Sequence, residues 1–119
     1  MPVDAVRKIV GRNMLIGVST HNLDEAKKAE AGGADFVTFG PIFSTPSKMS
    51  YGAPVGIEAL RTVKKHVQIP VFGLGGIRIN TISQVLQAGA DGIAMISAVL
   101  AAPDIKQAAT DVVSQIRGQ

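Results

Sequence analysis

Four short strand-like runs, and the distances between them, constrain this chain more than anything else in it. Leu15-Ile16-Gly17-Val18, Phe36-Val37-Thr38-Phe39, Val71-Phe72-Gly73-Leu74 and Ile93-Ala94-Met95-Ile96 read as continuous apolar runs, the pattern expected of strands buried on both faces of a parallel sheet. Amphipathic helical patterns follow them, over Leu23–Ala31, Gly56–His66, Thr81–Ala88 and Ile105–Ile116, and a short one over Val3–Val10 precedes the first. Asn22 and Asp104 are suited to cap helix starts, and Gly32-Gly33 and Gly89 to end helices. Strand alternating with helix implies right-handed βαβ connections and an α/β fold.

The starts of the first three runs and Gly92 are separated by 21, 35 and 21 positions. Gly33-Ala34-Asp35, which ends one helix before its strand, returns as Gly89-Ala90-Asp91 at an offset of 56, the sum of the last two spacings. A repeated βαβα unit of this kind builds eight-stranded (β/α)8 TIM barrels, which take about 250 residues. The 119 residues here hold four βα units, so the expectation is half of a TIM barrel, a single unit over residues 1–119. Four parallel strands in an open sheet leave two unpaired apolar edges. That predicts a homo-oligomer or pairing with a missing half-barrel.

Composition removes several alternatives. There is no Cys, hence no disulfide scaffold, thiolate metal site or thiol nucleophile, and a cytoplasmic setting is the simplest expectation. The longest apolar stretch, Gly92 to Pro103, has twelve residues, Ser97 among them. A membrane span needs roughly 18. The net charge of +3 is spread along the chain; its densest clusters, Arg7-Lys8 with Arg12 and Arg61 with Lys64-Lys65, lack interleaved aromatics and read as solvated helix faces. They predict no nucleic-acid partner. A mildly basic chain suits small anionic substrates, phosphates or diphosphates.

Parallel α/β sheets place ligands at the C-terminal ends of their strands. There the sequence offers Ser19-Thr20-His21, Gly40 to Tyr51, Gly75-Gly76 and Ser97. Gly75-Gly76 before Ile77, with Ser97 opening a run of small residues, matches a barrel phosphate site, where backbone N–H groups and a helix N-terminus meet an anion; a plain tight turn and an ordinary cap are the alternative. The second βα unit is 14 residues longer than its neighbours, and the excess is the loop containing Thr45-Pro46-Ser47-Lys48. Two hydroxyls and an ammonium in four residues can clamp an oxyanion, though a solvated polar loop has the same composition. His21 could shuttle a proton near neutral pH, or merely precede the helix start. His66, in a last helical turn, reads as structural. The nine acids lie on helices or before strands, so no carboxylate set for Mg²⁺ is expected at the strand C-termini.

The ordered motifs Ile16-Gly17-Val18-Ser19, Gly33-Ala34-Asp35, Gly40-Pro41-Ile42-Phe43, Thr45-Pro46-Ser47-Lys48, Gly75-Gly76-Ile77, Ala88-Gly89-Ala90-Asp91-Gly92 and Ile96-Ser97 resemble the C-terminal half of the thiamine phosphate synthase and TenI (thiazole tautomerase) superfamily. The resemblance implies a transferase that joins an aminopyrimidine diphosphate to a thiazole phosphate, releasing diphosphate. Ser19 and Lys48 would contact the diphosphate. Thr45, Pro46 and Ser47 would line the thiazole phosphate site, and Gly76 with Ile96 and Ser97 would bind that phosphate through backbone groups. The superfamily reaction implies Mg²⁺, with ligands in the half not present here. Ser47 stands where the synthases usually have Thr, and Thr-Pro-Ser-Lys followed by Tyr51-Gly52 also occurs in the TenI-like branch. In that branch the residue matching His21 is the proposed proton-transfer group. A tautomerase and a non-catalytic phosphate-binding fragment are therefore the alternatives.

Overall fold

A computed structural model describes residues 2–44, 53–94 and 104–118. The described elements are α1 (Val3–Val10), β1 (Gly17–Thr20), α2 (Leu23–Ala31), β2 (Phe36–Phe39), α3 (Gly56–His66), β3 (Val71–Leu74), a 3-10 turn (Ile79–Thr81), α4 (Ile82–Gln87), β4 (Gly92–Ala94) and α5 (Ile105–Arg117). The four strands form one parallel sheet in the order β1-β2-β3-β4. Consecutive order with parallel neighbours is the connectivity of half a TIM barrel.

The helix boundaries follow from local chemistry. The Asn22 side chain accepts from the Glu25 N–H at 2.8 Å and the Asp104 carboxylate from the Gln107 N–H at 2.9 Å, so both caps are where the residue types put them. Gly33 and Gly89, at φ 100° and 109°, turn the chain out of α2 and α4. The last unit departs in detail: α4 starts at Ile82, because Thr81 Oγ1 accepts from the Arg78 N–H at 2.9 Å and draws residues 79–81 into the tighter turn.

The 56-residue repeat has a physical basis. Asp35 accepts at 2.7 Å from the Ile16 N–H, the residue before β1, while the Arg7 guanidinium on α1 donates to the same oxygen at 2.7 Å. Asp91 does the same with the Val71 N–H at 2.8 Å and the Lys64 ammonium on α3 at 2.8 Å. Each aspartate thus ties its own strand's entry to the preceding strand and to the helix before that. The strand registers differ by one residue: Val18 pairs with Val37, whereas Ile93, 56 positions after Val37, pairs with Gly73 and not with Leu74. Glu30 ties elements together differently: from within α2 it accepts from the Gln68 and Ile69 N–H groups at 2.6 and 3.2 Å, on the approach to β3.

This clamp also explains where β1 begins. The sequence suggests a strand from Leu15, yet the Ile16 N–H is taken by Asp35 rather than by a neighbouring strand, and Leu15 is 78% exposed. The ladder opens at Gly17. Burial on both faces, expected from the unbroken apolar runs, is corrected too. Thr20, Val37, Phe39, Val71 and Gly73 are buried, whereas the alternate residues Phe36, Thr38, Phe72 and Leu74 are only partly covered and Ser19 is exposed. One face of the sheet packs with Ala26, Ala29, Leu60, Val63, Ile82 and Val85 in the core. The described helices do not bury the opposite face, which would line the barrel interior.

Candidate functional site

Two loops meet at the C-terminal edge of the sheet. After β2 the chain bends over β3: the Ile42 N–H donates to the Leu74 carbonyl at 2.9 Å and the Phe43 N–H to the Gly75 carbonyl at 3.1 Å. Pro41 and Ile42 are buried by this step. Their carbonyls then accept from the Val55 and Gly56 N–H groups at 2.7 and 3.1 Å. The long loop therefore leaves and returns through a closed stem, and Ser44 is the last described residue before Thr45.

Gly75 and Gly76, at φ 97° and 67°, complete this junction. A Cβ on Gly75 would lie 2.6 Å from Pro41 Cα, and one on Gly76 2.5 Å from the Ser44 carbonyl oxygen and 2.8 Å from that of Phe43. Backbone approach this close, in a conformation side chains rarely adopt, admits only glycine. The glycines bring the backbone of two loops together at the strand ends.

Ser19 lies on the open face of β1, as its alternation implies, in register with Thr38 of β2. Their hydroxyl oxygens are 3.4 Å apart. Thr38 was not among the residues picked out from the sequence; strand alternation puts it on the same face as Phe36, and only the register brings it beside Ser19. Its carbonyl accepts from the buried Thr20 hydroxyl at 2.8 Å on the other side of the backbone.

His21 turns toward α2 rather than along the strand direction. Its Nδ1 is 3.0 Å from Glu25 Oε1, which also accepts from the His21 N–H at 2.8 Å. These two contacts hold the Glu25 carboxyl below its ordinary value, the side-chain bond contributing most. Each side chain is about half exposed. His66 is bonded by Nδ1 to the Thr62 carbonyl oxygen at 2.8 Å, as a structural histidine should be.

Of the residues singled out, Gly75 and Gly76 are brought against the chain leading to Thr45, and Ser19 sits two strands away on the same sheet. Thr45, Pro46, Ser47, Lys48, Ile96 and Ser97 lie outside the described residues. Asp35 and Asp91 mark the opposite, N-terminal edge. The Arg7 hydrogen bond, then the Ile16 N–H, lower the Asp35 carboxyl. Burial pushes Asp91 up, but Lys64 and the Val71 N–H outweigh it and the net direction is down. Among the described residues no group of three or more His, Cys, Asp or Glu is placed to hold a metal ion, and no helix is long and apolar enough to cross a membrane.

Comparison with known proteins agrees with this geometry. The chain is 50% identical over 109 residues to a putative thiamine-phosphate synthase of Geobacter sulfurreducens, covering 92% of this chain and 51% of that one. It is 49% identical to the thiamine-phosphate synthase of Chloroflexus aurantiacus, with 92% and 50% covered. The structure superposes on thiamine phosphate pyrophosphorylase from Pyrococcus furiosus with a TM-score of 0.88 and 36% identity, over 99% of this chain and 55% of that chain. A 3-hexulose-6-phosphate synthase, 22% identical with a TM-score of 0.71, shares the fold. The chain spans about half the length of the curated relatives it matches. The model of the thiamine monophosphate synthase family matches residues 1–99, and with these relatives it places the chain in that family.

Proposed function

We propose that this chain supplies the thiazole-phosphate side of a thiamine-phosphate synthase site, in a transferase that joins an aminopyrimidine diphosphate to a thiazole phosphate. The observation that carries this reading is the junction of Gly75-Gly76 with residues 41–44, which sets a turn of backbone beside Ser44, the residue that precedes Thr45 in the sequence. Small barrels bind phosphate esters at this place, through backbone N–H groups too close to one another for side chains. In the proposed site Gly76, Ile96 and Ser97 hold the thiazole phosphate, Thr45, Pro46 and Ser47 line its pocket, and Lys48 and Ser19 meet the diphosphate. Positioning of the two substrates and neutralisation of the departing diphosphate supply the catalysis. A cytoplasmic setting suits such phosphorylated substrates.

Mg²⁺, which the superfamily reaction implies, does not fit the described residues. Both aspartates next to strands are committed to Arg7 and Lys64 at the far edge, so no step is routed through a metal on this chain. The missing half-barrel, or a second copy, is the proposed source of what the site lacks. Incubating the chain with both substrates and Mg²⁺, and measuring thiamine phosphate, tests this: no turnover is expected from the chain alone, and robust turnover would overturn the half-site assignment.

One observation favours a second reading. Glu25 engages Nδ1 of His21, which leaves Nε2 to exchange protons, the arrangement a thiazole tautomerase would use. His21→Ala should then abolish thiazole phosphate isomerisation, and an unchanged rate would reject it.

A further inference from the structure

We infer that Thr38 is a substrate-binding residue and that its hydroxyl, with that of Ser19, straddles a single acceptor oxygen of the substrate's diphosphate. The inference deepens the proposed function and rests on its placing Ser19 at the diphosphate. Three observations lead to it.

The first is separation. Two hydroxyls bonded directly to each other sit about 2.7–2.8 Å apart, and the 3.4 Å between Thr38 Oγ1 and Ser19 Oγ is slack for that. It is the right spacing for two O–H donors each reaching the same oxygen at normal hydrogen-bond length, as two donors of an anion site must. The second is placement. Ser19, Thr38 and Phe72 follow one another across the uncovered face of the sheet. One residue beyond Thr38, Phe39 leads into Gly40 and the loop junction, so an anion anchored on this pair lies toward the same C-terminal end of the strands as Gly76. The third is chemistry. The other partly covered residues of β2 and β3 on this face are Phe36, Phe72 and Leu74, whose side chains offer an oxyanion no donor. Phe36 and Phe72 already satisfy one another edge to face, with ring centroids 5.5 Å apart. Valine has the shape of threonine and would suit this surface and a β-strand equally well. The hydroxyl has no structural task here beyond its slack contact with Ser19, since the bond that ties β1 to β2 at this level uses the Thr38 carbonyl.

The test is a titration of inorganic diphosphate into the isotope-labelled chain, following the backbone amides of Ser19 and Thr38 in the wild type, Thr38→Val and Thr38→Ser. Thermal unfolding of each variant checks that the fold is retained. Saturable shifts at both amides are expected in the wild type, with an apparent Kd raised at least fivefold in Thr38→Val and within twofold of wild type in Thr38→Ser. Equal diphosphate binding by the valine variant overturns the inference, as does a wild type whose Ser19 and Thr38 amides do not move at millimolar diphosphate. A parallel titration with thiazole phosphate, read at Gly75 and Gly76, keeps the two readings apart. Loss of the diphosphate response in Thr38→Val with no thiazole phosphate response in the wild type sustains the Thr38 assignment and removes the thiazole-phosphate one.

Discussion

Gly76 concentrates more of the site's geometry than any other described residue. Its positive φ and the carbonyls of Phe43 and Ser44 beside it mean that even one methyl group must push two loops apart. Gly76→Ala is expected to cost about 1–3 kcal/mol from backbone strain and displaced carbonyls, read by thermal unfolding, and to weaken thiazole phosphate binding at least tenfold. The aspartate clamps act at the same scale on a different property. Asp35 and Asp91 have folded-state pKa values below their unfolded ones, so around pH 4 the unfolded chain binds more protons than the folded one. Their stabilisation is present above the unfolded value of about 3.9 and is lost as pH falls through the lowered folded values. A melting temperature steady at neutral pH and falling below about pH 4 is expected. Asp91→Asn should lower neutral-pH stability by about 1 kcal/mol, given the partial exposure of the pair, and flatten that acid limb.

At the scale of elements, much was legible because strand and helix periods differ and because caps are chemical. Three of the predicted helices, Val3–Val10, Leu23–Ala31 and Gly56–His66, have the bounds expected from their apolar spacing. What the sequence could not show was tertiary competition for backbone groups. Nothing local to Leu15 says that Asp35 will claim the Ile16 N–H, and nothing local to Thr81 forces it to bond back to Arg78. Thr38 was missed because a single hydroxyl in Phe36-Val37-Thr38-Phe39 reads as strand filler until its register partner is known. The unbroken apolar runs also overstated burial, since they suit a complete barrel better than half of one. The helix face of the sheet carries the stability of the chain as it stands. Leu60, fully buried among Val63, Val37 and Val71 in the core, is the clearest probe. Leu60→Ala should cost about 2–5 kcal/mol in denaturant unfolding, whereas a truncation at Leu15 should cost little.

At the scale of the whole molecule, one face of the sheet is packed by the described helices and the other is left partly open. Its radius of gyration is 14.8 Å, above the roughly 13.5 Å of a compact domain of this length. Ile9, Met14 and Leu15 stand exposed before and around the start of β1, and Ile105 and Val113 stand exposed on α5, which packs against α4. The β1 side of the sheet and the outer surface of α5 thus carry exposed apolar side chains. The repeat of the aspartate clamp across 56 residues shows how such a piece is built: each βαβα unit fastens its strand entries at the N-terminal edge and leaves the C-terminal edge free for loops. The clamps and the proposed ligand site thereby lie at opposite ends of the same strands. The division is visible in Asp35 and Asp91 at the clamped end and in Gly75, Gly76 and the hydroxyls of Ser19 and Thr38 at the other.

That separation gives the most direct measurement. In a titration of thiazole phosphate into the isotope-labelled chain, amide shifts should saturate and cluster at Gly75, Gly76, Ile77 and Ser44, with Ile16, Asp35, Val71 and Asp91 unmoved. Shifts centred on the clamped edge, or none at millimolar ligand, would contradict the assignment of the phosphate site to the loop junction.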